Sequence, residues 1–105
     1  MTTTFRQDAS AYRLRWNAEQ ARRWKAGGEW EDLTLADRAC ALVQEAPDHV
    51  THVCGEESLT AAQAWDRSGR LASALAARGY RAGDVLAFQT PNWIEAVLIN
   101  LAASR

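Results

Sequence analysis

Residues 59–92 constrain this chain's fold more than any other stretch, because local chemistry marks every boundary within them. Thr60 and Gln63 have the spacing of a capping box. In such a box the threonine hydroxyl takes an orphan amide of the first helical turn, and the glutamine reaches back to the threonine amide. Leu59, just before the cap, can staple onto Ala64. Ala61, Ala64, Trp65, Ser68, Leu71, Ala72 and Leu75 recur at steps of three and four, which is one face of a helix. Gln63, Asp66, Arg67, Arg70 and Arg78 fall on the other faces. Gly79 stands where a left-handed residue is wanted past the helix end. Gly83 and Asp84 signal a turn. Val85, Leu86, Ala87 and Phe88 follow as an apolar run that suits a strand buried on both faces, as in a parallel sheet.

Upstream, Asp8 or Ser10 is expected to cap a first helix that runs to about Ala26 and ends at Gly27 and Gly28. Tyr12, Trp16, Gln20 and Trp24 would line it at steps of four, flanked by Arg13, Arg15, Arg22 and Arg23. Charge is uneven along the chain. Residues 1–28 hold six basic and two acidic side chains, a net of +4, and the remainder holds six and eleven, a net of -5. The aromatic stripe has two readings. One is a basic aromatic surface for nucleic acid or anionic lipid. The other is a helix laid on its own domain by its aromatics, with the arginines snorkelling outward. The narrow stripe and modest charge favour the second, and a whole-chain net charge of -1 argues against nucleic-acid binding.

Thr34 and Asp37 have capping-box spacing and start a second helix. Its expected buried face is Leu35, Ala39, Leu42, Val43 and Ala46, and Pro47 with Asp48 stops it. Residues 49–54 alternate like a strand, residues 55–57 turn, and Ser58 with Leu59 returns. The last helix has two possible starts. Thr90 could cap it with Pro91 at the first helical position. Asn92 with Glu95 as an N-x-x-E box is preferred, since asparagine caps well and Glu95 then favours the positive helix end. From Trp93 to Ala102 almost no polar face is left, so this helix should be buried on several sides. It is too short to span a membrane.

Chemistry-bearing residues are few. His49, His52 and Cys54 form the only cluster that suggests a metal. On a strand His52 and Cys54 share a face while His49 points away, and two donors do not make a tetrahedral site. No metal ligand is assigned. Cys40 and Cys54 form no C-x-x-C and no apolar leader follows Met1, so they read as reduced thiols of a cytoplasmic protein. No serine sits in a G-x-S-x-G elbow and no G-x-x-x-x-G-K segment occurs. Lys25 is the only lysine. No catalytic and no cofactor-binding residue is assigned.

The spaced pattern Leu59-Thr60, Asp66/Arg67, Arg70-Leu71-Ala72, Leu75, Gly79, Gly83-Asp84-Val85, Pro91-Asn92 and Glu95-Ala96 resembles the N-terminal region of the AMP-forming acyl-CoA synthetases and related adenylate-forming ligases. The likeness extends more loosely from about Trp30 to Arg105. It divides the chain into a basic aromatic helix, residues 1–28, and an incomplete portion of an AMP-binding domain, residues 29–105. The fold it implies is α/β, with helices packed on a short β-hairpin and one buried parallel-type strand. The activity it implies is carboxylate activation to an acyl-adenylate and then a thioester, with ATP, Mg2+ and CoA. The family's Ser/Thr/Gly-rich loop ending in Pro-Lys, its later acidic motifs and its C-terminal-domain lysine have no counterpart in these residues. The expected protein is therefore a ligase fragment, inactive alone, that pairs with the missing remainder or forms a homodimer through Trp93, Val97 and Leu101. A stand-alone interaction module using the apolar last helix, or a nucleic-acid or membrane-surface binder using residues 5–25, is the alternative.

Overall fold

A computed structural model describes residues 15–105. The chain divides into two compact units, Met1–Asp32 with Ala82–Val85, and Leu33–Arg81 with Leu86–Arg105.

In the first unit, α1 spans Ala18–Gly27. Asn17 in extended backbone caps it, and Gln20 completes a capping box with hydrogen bonds of 2.8 and 2.9 Å. Gly28 ends it at φ 82°, its amide bonded to Lys25. The expected caps Asp8 and Ser10, and Tyr12 of the stripe, lie outside the described residues. Trp16 corrects the rest of that expectation. It precedes the cap and is not on the helix. The chain after α1 folds back, with the Trp30 amide on the Trp24 carbonyl at 3.1 Å. Trp30 then packs edge-on against Trp16 at 4.9 Å and tilted against Trp24 at 5.0 Å. The aromatics thus meet one another rather than line a face. Lys25 reaches Asp32 at 2.6 Å.

The second unit holds α2 (Leu35–Glu45), β1 (Val50–Cys54), β2 (Glu57–Thr60), α3 (Ala61–Ala77) and α4 (Ile94–Ser104). Helices on a short hairpin are the fold that the sequence implies. Thr34 and Thr60 cap α2 and α3 through the expected boxes with Asp37 and Gln63. β1 and β2 pair antiparallel, with Val50 opposite Thr60 and His52 opposite Leu59. One extra residue, Thr51, is accommodated between those pairs as a bulge. The Thr51 hydroxyl bonds to the Leu59 carbonyl at 3.2 Å and so ties the bulge to the partner strand. Because β2 runs straight into α3, the first amides of α3 need acceptors. The Ala61 and Ala62 amides find them on His49 and Pro47, at 2.9 and 3.0 Å. At the other end Gly79 adopts φ 97°, its amide on Ala76 and that of Tyr80 on Leu75. That pair of bonds is a Schellman ending.

The core is Leu59, Ala64, Ile94, Leu98 and Leu101, with Ala39, Cys54 and Val97 packed against it. Leu59 and Ala64, the two ends of the expected staple, are both buried in this cluster. The face of α3 is placed as its spacing predicts: Ala61, Ala64 and Ser68 are buried. Three expectations are corrected. In α2, Leu35 is 53% exposed and Ala36 is buried instead. In α4, neither Thr90 nor Asn92 caps. Trp93 occupies the N-cap position without a side-chain bond. Finally, residues 85–88 form no strand. Among the described residues the only sheet is β1–β2, so this run meets no ladder, and Val85 is 67% exposed. Apolar sequence without a pairing edge does not make a strand.

Candidate functional site

The second unit contains a groove of about 480 Å3. Leu35, Arg38, Ala39 and Leu42 of α2 form one wall. Their spacing of three, four and seven puts them on one helix face. Val97, Asn100 and Leu101 of α4 form the other wall, Ala61 and Ala64 of α3 also line it, and Thr51 with His52 closes part of the rim. A polar pin holds the walls: the Ser104 hydroxyl, at the end of α4, accepts the Ala36 amide of α2's first turn at 3.0 Å. That bond joins residues 68 apart in sequence and satisfies one of the orphan amides of α2.

The polar residues of the groove are engaged in structure rather than poised for chemistry. His52 Nδ1 lies 2.9 Å from the Thr51 hydroxyl. That hydroxyl also bonds the Leu59 carbonyl at 3.2 Å. The Asn100 amide donates to Ala96 at 2.9 Å. His52 and Cys54 do fall on the less exposed side of β1, and His49 is exposed outside it. Cys54 packs against the core, its Sγ 3.6 Å from the Asn92 carbonyl. No group of three metal-binding side chains occurs among the described residues.

A second depression, of about 430 Å3, lies along α3 beside Trp65, Asp66, Gly69, Arg70, Ser73 and Arg105. Arg105 fills one end of it. Its guanidinium stacks 3.6 Å from the Trp65 ring centroid and donates to the Trp65 carbonyl at 2.6 Å. Gly69 permits this approach, since a Cβ there would sit 2.8 Å from Arg105 Nη1. The neighbouring Arg70 pairs with Asp66 at 2.9 Å across one helical turn. Both arginines therefore already have partners.

The groove offers little to the phosphates of a nucleotide. The groove walls are aliphatic, with one cation, Arg38. A triphosphate needs converging backbone amides and lysine or metal charge. The one lysine belongs to the other unit and is paired with Asp32. No helix among the described residues is long and apolar enough to cross a membrane.

Sequence reasoning missed two devices. The Asn17-x-x-Gln20 box was legible, being the same signal as at Thr34 and Thr60. The Ser104–Ala36 pin was not, because nothing near either residue announces a partner so distant in sequence.

Helices packed on a small antiparallel hairpin are consistent with part of an α/β domain. The AMP-binding enzyme family model matches residues 38–105, more than half of the chain, and the chain belongs to that family. It is similar to the medium-chain fatty-acid–CoA ligase of Escherichia coli, with 30% identity over 99 residues, 93% of this chain and 18% of that ligase. It is also similar to a medium/long-chain-fatty-acid–CoA/3-oxocholest-4-en-26-oate–CoA ligase of Mycobacterium tuberculosis, with 38% identity over 69 residues, 66% of this chain and 13% of that ligase. The chain thus spans under a fifth of the length of these curated relatives.

Proposed function

We propose that this chain is a structural portion of an AMP-forming acyl-CoA ligase for a fatty acid, and that it does not activate a carboxylate by itself. The observation that carries the reading is the overlap between the family match, residues 38–105, and the core of the second unit. Leu59, Ala64, Ile94, Leu98 and Leu101 all lie inside the matched stretch. The stretch matched by the family thus contains the residues that build the core of the second unit. ATP, Mg2+ and CoA would be held by parts of a ligase outside these 105 residues. Fatty acid is the substrate class that the relatives' names support. The two thiols, both free, suit a reducing cytoplasm.

Two measurements test this. The purified 105-residue protein should show no fatty-acid-dependent ATP–pyrophosphate exchange, and measurable exchange would refute its inactivity. A chimera of the E. coli ligase carrying this chain in place of the matching 99 residues should form acyl-CoA from a medium-chain fatty acid. A folded chimera that makes neither adenylate nor thioester would refute the ligase reading.

A further inference from the structure

We propose that the outer edge of β1 pairs with the same edge of a second copy of this chain, so that two hairpins join across a two-fold axis into one antiparallel sheet. The sheet among the described residues has only the strands β1 and β2, so each of them keeps one edge without a ladder. The register fixes which groups stand on the edge of β1. Gly55, at φ 60°, and Glu56 form the turn, with Cys54 opposite Glu57 and Val53 opposite Ser58. A turn of that length is closed by a bond between its flanking residues, here Cys54 and Glu57. Successive antiparallel pairs alternate between bonded and non-bonded, so Val53 and Ser58 are a non-bonded pair. The Val53 N–H and C=O therefore point away from β2. Among the described residues, no backbone bond from outside the hairpin reaches them. The Val53 side chain is 70% exposed, more than any other large apolar side chain described.

Such an edge templates pairing with another chain unless charge, proline or a covering segment blunts it. Residues 49–54 hold no proline, carboxylate, lysine or arginine. The bulge at Thr51 confines the pairing to the turn end of the strand. Charge selects the occupant. The edge of β1 is a neutral row, and β1 itself is a neutral strand that meets it without repulsion. β2 is a poorer self-partner, because Glu57 would bring carboxylates together across a two-fold and Thr60 leaves the strand to cap α3. Centred on Val53, the two copies of β1 exchange N–H to C=O bonds at Val53, and His52 of each faces Cys54 of the other. No charged side chain then stands opposite another of the same sign. The two Val53 side chains lie side by side on one face and cover each other. A second copy is also the partner that the sequence suggests, there through Trp93, Val97 and Leu101. Leu101 is only 5% exposed and belongs to the core, which leaves β1 as the more open route. This pairing does not depend on the ligase reading.

Light scattering on a dilution series of the 105-residue protein, together with amide hydrogen exchange, tests it. The wild type should pass from monomer to dimer as its concentration rises through the micromolar range. The Val53 amide should exchange more slowly in the dimer, by at least about tenfold. Val53→Lys sets two lysines opposite each other across the axis and should weaken the dimer by at least about tenfold. Val53→Thr keeps a neutral β-branched side chain and should leave the dimer in place. Far-UV circular dichroism and thermal melts that coincide with the wild type show that both variants keep the fold. A wild type that stays monomeric at high micromolar concentration overturns the proposal. So does a dimer whose Val53 amide exchanges as fast as in the monomer, a result read on the wild type and independent of whether Val53→Lys folds. A dimer kept by Val53→Lys and lost in Trp93→Asp assigns the interface to the start of α4 and overturns the proposal as well.

Discussion

Asn17, Thr34 and Thr60 each sit in extended backbone and accept a bond from the amide three residues on, and each is answered by a side chain at that third residue. Thr60 matters most of the three, because it joins β2 directly to α3, the longest helix. Thr60→Ala should destabilise the protein by about 1 kcal/mol, read as a lower denaturant midpoint, whereas Thr60→Ser should retain most of the wild-type stability. At Thr34 the answering group is charged. The Thr34 amide and then its hydroxyl hold the Asp37 carboxyl below the ordinary carboxylate range. A carboxylate whose folded value is depressed contributes stability that is present above its unfolded value and lost as pH falls through the folded one. The margin of the wild type over Asp37→Asn should therefore be full near neutrality and shrink in acid, below the ordinary carboxylate range. Thermal melts of both proteins across that range check it, and a margin unchanged by acid would show that the carboxylate is not the capping group.

At the scale of elements, α4 contrasts with the other helices. It is the most apolar of them in sequence, it supplies Ile94, Leu98 and Leu101 to the core, and yet it begins at Trp93 with no side-chain cap. Burial of its aliphatic face holds it, rather than its own terminus. Trp93→Asp should therefore stabilise the isolated chain, by up to about 1 kcal/mol from the new cap, less whatever the half-exposed indole contributes. A rise in melting midpoint is the expected result, and a fall would mean that the Trp93 ring is packed more tightly than its exposure indicates. Residues 85–88 behave in the opposite way. They are apolar and pair with no strand among the described residues, so they form no strand, and Phe88 stays 44% exposed.

Among the described residues only four large side chains lie fully in the core, Leu59, Ile94, Leu98 and Leu101, the other buried apolar residues being alanines. Large residues such as Leu33, Val53, Tyr80 and Val85 are exposed. A chain of this size buries a smaller share of its surface than a larger domain does and gains correspondingly less from it. The two units also have separate interiors, tryptophan rings in one and an aliphatic cluster in the other. Unfolding should then depart from a single transition. Quenching of the Trp16–Trp24–Trp30 cluster and loss of helical circular dichroism should follow different denaturant curves, measured in a Trp65→Phe, Trp93→Phe background to isolate the cluster. Coincident curves would show one cooperative body.

Signals that act over three or four residues were sufficient in the sequence: the boxes at Thr34 and Thr60, the buried ends Leu59 and Ala64 of the expected staple, the left-handed ending at Gly79 and the inward face of α3. Their partners lie within one helical turn, so the energy that decides them is local. The family was legible for the same reason, since its pattern is made of those caps, turns and faces. Tertiary structure alone decided which apolar surfaces find cover. It drew Trp16 and Trp24 onto Trp30, chose Ala36 over Leu35, pinned α2 to Ser104 and left residues 85–88 without a ladder. Each of those outcomes depends on what chain arrives from elsewhere, and hydrophobic burial, being non-directional, names no partner in advance.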